Sequence, residues 1–202
     1  MILRAFNKRT RTDALPPSTD RLPPGQSLTQ KWPVLHYGSV PRVDLATWEF
    51  AVNGLVENEV RWSYEDFIAL PQAEILADMH CVTRWSTYDN HWEGVSTKEV
   101  LSHVQMKPGA KFVLVLCDGG YTTNMPLEVF AGDDCLFAWR NNGQDLTPDH
   151  GWPMRLVVPK KYAWKSAKWV NGIKLLSEDQ LGFWERYGYH NDADPWREER
   201  FA

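Results

Sequence analysis

The chain has 202 residues, 43% of them hydrophobic, with a formal net charge of −4 at pH 7 and a sequence pI near 5.9. This suits one globular domain with a sizeable core and offers no basic footprint for nucleic acid or an anionic membrane surface. No apolar run approaches a membrane span, and the N-terminus lacks the continuous apolar core of a signal peptide, so the cytoplasm is the expected compartment.

Residues 11 to 33 hold five of the thirteen prolines together with Ser, Thr and Gln. They read as an extended arm, with residues 1–31 outside the domain and residues 32–202 forming it. TWEFAVNG (47 to 54) alternates apolar and polar residues, ends at Asn-Gly and predicts a hairpin with EVRW (59 to 62). Ser63 with Asp66, and Ser96 with Glu99, each predict the capped start of a short helix. Between them EILADMHCVTRWS reads as a strand running into a loop. KFVLVLCDGGYTTNMPL (111 to 127) predicts a buried strand, a Gly-Gly turn and a second extended piece, and CLFAWR, MRLVVP and WVNGIKLL add three strands. A last helix is expected from Ser177. Many strands, short helices and no strand-helix alternation indicate a single strand-rich α+β domain without an internal repeat.

Three cysteines at wide spacing do not make a disulfide framework and are expected as thiols or ligands. Cys81 falls just past a strand, where loop donors and nearby cations favour the reactive thiolate. Cys117 and Cys135 lie in apolar strand patterns and belong in the core. His80 and Cys81 point to opposite faces of a strand, and no second ligand pair completes a zinc site with His91. A Cys81 nucleophile with His36, His91, His103 or His150 as base stays open, because such pairs are defined by geometry. The eleven tryptophans are expected mainly in the core.

The stretch from Asn141 to Trp169 is the second informative one. Arg155, at the start of an apolar strand, and Lys168, between Ala and Trp, are expected to be buried and to need an anion. With Ser166 and loop backbone donors they suit a phosphate. Lys160, Lys161 and Lys165 read as a solvated edge.

Taken together, the single cysteine after a strand, DHGWPMRLVVP and KSAKWVNGIKL resemble the molybdopterin-binding domain of the sulfite oxidase family, over about residues 32 to 176. The resemblance implies a strand-rich mixed α+β fold holding molybdenum on molybdopterin, without an attached nucleotide, with Cys81 as the protein ligand to the metal. It places His150, Arg155, Ser166, Ala167 and Lys168 at the pterin, Arg155 and Lys168 at its phosphate, and, through LHYGSVP, His36 and Tyr37 beside it. Asp118 falls where relatives approach the pterin. Arg84 is expected to supply charge near the metal, and Trp85, Trp92 and Trp139 to wall the pocket. The resemblance implies a small oxyanion, sulfoxide or similar substrate, but sulfite oxidases proper have an arginine in the segment matching LHYG and a tyrosine where Trp139 stands, so sulfite itself is not the expected one. Electrons then come from or go to a separate redox protein, since nothing in the sequence resembles haem or iron-sulfur ligation. A non-catalytic cofactor-binding module is the alternative within the same fold.

Overall fold

In a computed structural model the described residues are 21–202, so most of the expected N-terminal arm lies outside them. In chain order the strands and helices are β1 (Ser27–Leu28), β2 (Glu49–Gly54), β3 (Val60–Ser63), α1 (Tyr64–Ile68), β4 (Ala73–His80), β5 (Trp85–Ser96) and α2 (Thr97–Ser102). There follow β6 (Phe112–Cys117), β7 (Thr122–Pro126), α3 (Leu127–Phe130), β8 (Leu136–Asn141), β9 (Gln144–Asp145), β10 (Arg155–Val157), β11 (Val170–Leu176) and α4 (Phe183–Arg186).

Two sheets form. One runs β3-β2-β11-β6-β7, and the other β1-β5-β8-β10 with β4 on β5 and β9 on β8. The hairpin forms as its alternation predicts, with Phe50 opposite Trp62. Both predicted caps are present: Ser63 Oγ accepts from Asp66 N–H at 3.2 Å and Ser96 Oγ from Glu99 N–H at 3.0 Å.

Successive strand residues face opposite sides of a sheet, and β8 shows what this does here. Phe137 joins the main core with Phe50, Val95, Val115, Leu156 and Ile173, drawn from both sheets. Leu136 and Ala138 face the other side, with Met79, Trp92 and Val157. On β10 the same alternation sends Leu156 into the main core and Arg155 and Val157 away from it. Gly172 lets β11 and β2 approach, since a Cβ there would stand 2.5 Å from Ala51 O.

Three expectations differ. Residues 27–28 of the arm pair in parallel with Trp85 and Ser86, and Arg21 Nε donates to Asp78 at 2.8 Å, so this segment packs on the domain. The helix expected from Ser177 is the single turn Phe183–Arg186, anchored through the buried Glu185 carboxylate. Lys165 is not on a solvated edge. It is 1% exposed and paired at 2.5 Å with Glu185, itself fully buried. Lys161 is also largely buried and bonds Asp192, whereas Lys160 is exposed.

Candidate active site

Where β4 ends, the chain makes a tight turn. Cys81 N–H donates to Trp85 O at 2.9 Å, Arg84 N–H donates to Cys81 O at 3.0 Å, and Arg84 takes a left-handed φ of 72°. The turn is tethered from both chain ends: Gln26 Nε2 donates to Cys81 O at 3.0 Å and Arg200 Nη1 to Val82 O at 2.8 Å. The Cys81 side chain lines a cavity of about 250 Å³. Its sulfur accepts a hydrogen bond from Thr83 Oγ1 at 3.2 Å. The other two thiols are sealed away: burial holds the Cys117 pKa well up and raises Cys135 to about 12.

The same cavity is lined by Arg155, Ser166, Ala167 and Lys168. Residues 155 and 168 form an isolated bridge, and Gly151 permits it. Its φ is 110°, and a Cβ there would stand 3.0 Å from Arg155 Cβ and 3.2 Å from Lys168 Cβ.

Arg155 is 2% exposed. Its Nη1 donates to His150 O at 3.1 Å and its Nη2 to Ser166 O at 2.9 Å, while its buried Nε has no partner. Trp32 and Trp92 rings lie 5.3 Å away. Its bonds go to carbonyls and none to a carboxylate, and burial pushes its pKa down to about 9. Lys168 Nζ donates to Asp149 O at 2.6 Å. Burial first, then Arg155, lowers its pKa to about 8. A half-satisfied buried cation beside a second one attracts an anion.

His150 is outside the cavity lining and stacks on the lining residue Trp32 at 3.8 Å and 9°, with a buried, partnerless Nδ1; burial, then Lys168 and Arg155, lower its pKa to about 4, so its ring is neutral at pH 7. His36 and Tyr37, both exposed, also line the cavity. His36 Nδ1 bonds Gly38 O at 3.0 Å and its ring meets Trp169 at 5.4 Å, while Tyr37 packs on Phe183 at 4.5 Å.

The remaining expected site residues lie elsewhere. The exposed Arg84 side chain lies over Gly25, beside Glu198 and Arg200, outside the cavity lining. Trp139 shares Phe137's face of β8 and packs on the main core, and Trp92, fully buried, backs Arg155. Asp118 accepts from Asn171 Nδ2 at 2.8 Å and donates its N–H to Trp169 O, behind the lining residue Trp169. Trp85 does line the cavity, as do Trp32, Trp164, Trp169 and Trp184, so five of the eleven tryptophans wall it.

Sequence reasoning missed Thr83, Trp184 and Tyr189. Trp184 and Tyr189 reach the cavity because Glu185 is anchored by Lys165, by Trp164 Nε1 at 3.0 Å and by Thr123 Oγ1 at 3.2 Å. Only a rule pairing a buried cation with a distant acid finds that anchor.

A soft sulfur, two incompletely paired cations and aromatic walls fit an anionic, flat, metal-bearing ligand. Among the described residues no three His, Cys, Asp or Glu side chains are arranged to hold a metal ion. Nor does an imidazole hydrogen-bond to the Cys81 sulfur among the described residues; the partner there is Thr83.

Residues 37–184 match the sequence model of the oxidoreductase molybdopterin binding domain. The chain is 43% identical over 198 residues to "Uncharacterized oxidoreductase YuiH" of Bacillus subtilis (strain 168), covering 98% of each. It is 29% identical over 170 residues to "Putative protein-methionine-sulfoxide reductase subunit YedZ1" of Azospira oryzae, covering 83% of this chain and 64% of that protein. The solved structure of the sulfane dehydrogenase SoxCD from Paracoccus pantotrophus superposes with a TM-score of 0.66 at 22% identity, over 76% of this chain and 43% of that one, a likeness of fold. The chain thus spans nearly all of YuiH but less than two thirds of the other two.

Proposed function

The chain belongs to the oxidoreductase molybdopterin binding domain family, and from that premise we propose that it carries out two-electron or oxygen-atom transfer on a small oxyanion, sulfoxide or similar substrate. The observation that carries this reading is the convergence of Cys81, Arg155 and Lys168 on one aromatic-walled cavity. When bound, molybdopterin with its molybdenum supplies the oxygen-atom and electron-pair chemistry.

Each residue then has a definable task. Cys81 holds the metal through a soft sulfur fixed by a four-point-tethered turn. Arg155 and Lys168 hold the anionic end of the cofactor, taken in its nucleotide-free form, with Ser166 and Ala167 lining the cradle. His150, neutral and stacked on Trp32, backs that cavity wall without adding charge. His36 and Tyr37 line the cavity from exposed positions, and Trp85, Trp169 and Trp184 exclude water around the sulfur. Electrons pass to or from a separate partner, a reading supported by the description of YedZ1 as a subunit. Among the described residues no helix is long and apolar enough to cross a membrane. Three free thiols support a reducing compartment such as the cytoplasm.

The test is protein made in a molybdenum-replete host, assayed for bound molybdenum and pterin fluorescence and then screened against sulfite, sulfoxides and N-oxides with a dye couple. Stoichiometric metal and turnover of one class are expected. Protein free of molybdenum and pterin, with a Cys81 that iodoacetamide alkylates readily, would overturn the reading.

A further inference from the structure

Thr83 lies two residues beyond Cys81, exposed and in the cavity lining, and its hydroxyl donates to the Cys81 sulfur at 3.2 Å. The geometry is not left to the side chain alone. The turn is closed by Arg84 N–H on Cys81 O, fastened to β1 by Ser27 N–H on Arg84 O at 2.9 Å, and held at two carbonyls by Gln26 and Arg200. A β-branched side chain has few χ1 choices on so fixed a backbone.

We propose that Thr83 is a positioning residue that sets the electron-donating strength of the Cys81 sulfur through this hydrogen bond. The inference rests on the reading of Cys81 as the metal ligand. A thiolate accepts a hydroxyl hydrogen bond far more strongly than a thiol does, so the contact tightens when the sulfur carries charge. The donor withdraws density that the sulfur would otherwise give to a bound metal. Hydrogen bonds to ligating sulfurs are one of the levers by which a protein sets a metal's reduction potential. The same bond fixes the sulfur's direction into the cavity.

Thr83→Val keeps shape and branching and removes the donor; Thr83→Ser restores the donor without the methyl. Because the position is exposed, folding is expected to be unchanged, and Thr83→Ala gives a second donor-free variant. With each protein loaded with molybdenum, the expected result is that Thr83→Val and Thr83→Ala lower the metal's midpoint potentials, read by spectroscopically monitored redox titration. Both also move the sulfur-to-metal charge-transfer absorption to longer wavelength, and Thr83→Ser returns both readouts to the wild-type values. Donor-free variants that load fully and keep wild-type potential and absorption would overturn the tuning role while leaving the ligand assignment intact. A wild-type protein that binds no molybdenum would overturn the ligand reading itself, and the tuning role with it.

Discussion

Replacing Arg155 by Met separates an anion-binding cation from a structural one. Burial lowers the Arg155 pKa to about 9. At about 1.36 kcal/mol per pKa unit this corresponds to roughly 5 kcal/mol spent on keeping the guanidinium charged in its 2%-exposed site. Met removes that cost but leaves the His150 and Ser166 carbonyls without their donors, at about 1–3 kcal/mol each. The two nearly cancel, so the cofactor-free variant should melt within a few degrees of wild type. The difference appears on adding inorganic pyrophosphate. At about 100 times its dissociation constant a ligand stabilises the native state by about 2.7 kcal/mol. With about 2–4 °C per kcal/mol for a domain of this size, wild type should gain roughly 5–10 °C and Arg155→Met almost nothing. Scanning calorimetry reads both. A variant that keeps the full pyrophosphate effect, or that loses more than about 10 °C without any anion, would refute the assignment of Arg155 to anion binding.

The pyrophosphate effect should weaken as pH rises through about 8, where Lys168 loses its charge while the Arg155 guanidinium keeps its own; melting curves across that range check it. His80 is 1% exposed and burial lowers its pKa from 6.5 to about 4. The unfolded chain binds the extra proton first, so this residue's stability contribution is intact above about 6.5 and is lost, by roughly 3 kcal/mol, as pH falls toward 4. The stability of wild type relative to His80→Gln, read from urea melts, should therefore fall by about that amount between pH 7 and pH 4. Lys165→Met strands the fully buried Glu185 and should cost about 3–5 kcal/mol, or on the order of 10 °C in Tm, with most of the loss recovered in Lys165→Met/Glu185→Leu. An unchanged melting temperature for the single variant would contradict the anchor.

Local pattern carried much of this structure. The β2-β3 hairpin, both serine caps, the apolar strands and the position of Cys81 past β4 depend on residues close together in sequence, and each was legible there. Arg155 was legible for a related reason, since a cation opening the apolar run RLVV on a strand has little solvent to reach. Lys165 was not. Its neighbours Lys160 and Lys161 made it look like part of a charged edge, and only Glu185, brought back through α4, turns it inward. Partnering that spans the chain leaves no local trace, and the tethering of the Cys81 turn by Gln26 and Arg200 was hidden for the same reason. Trp139 illustrates the converse. Its place in the sequence suggested a pocket wall, and the alternation along β8 sends it to the main core.

The proposed function turns on a bond between the Cys81 sulfur and the metal. X-ray absorption at the molybdenum edge on purified wild type and Cys81→Ser tests it most directly. The variant, still folded and still holding pterin, is expected to show one sulfur scatterer fewer in the metal's nearest shell. An identical sulfur count in the two proteins, both loaded with molybdenum, would contradict it.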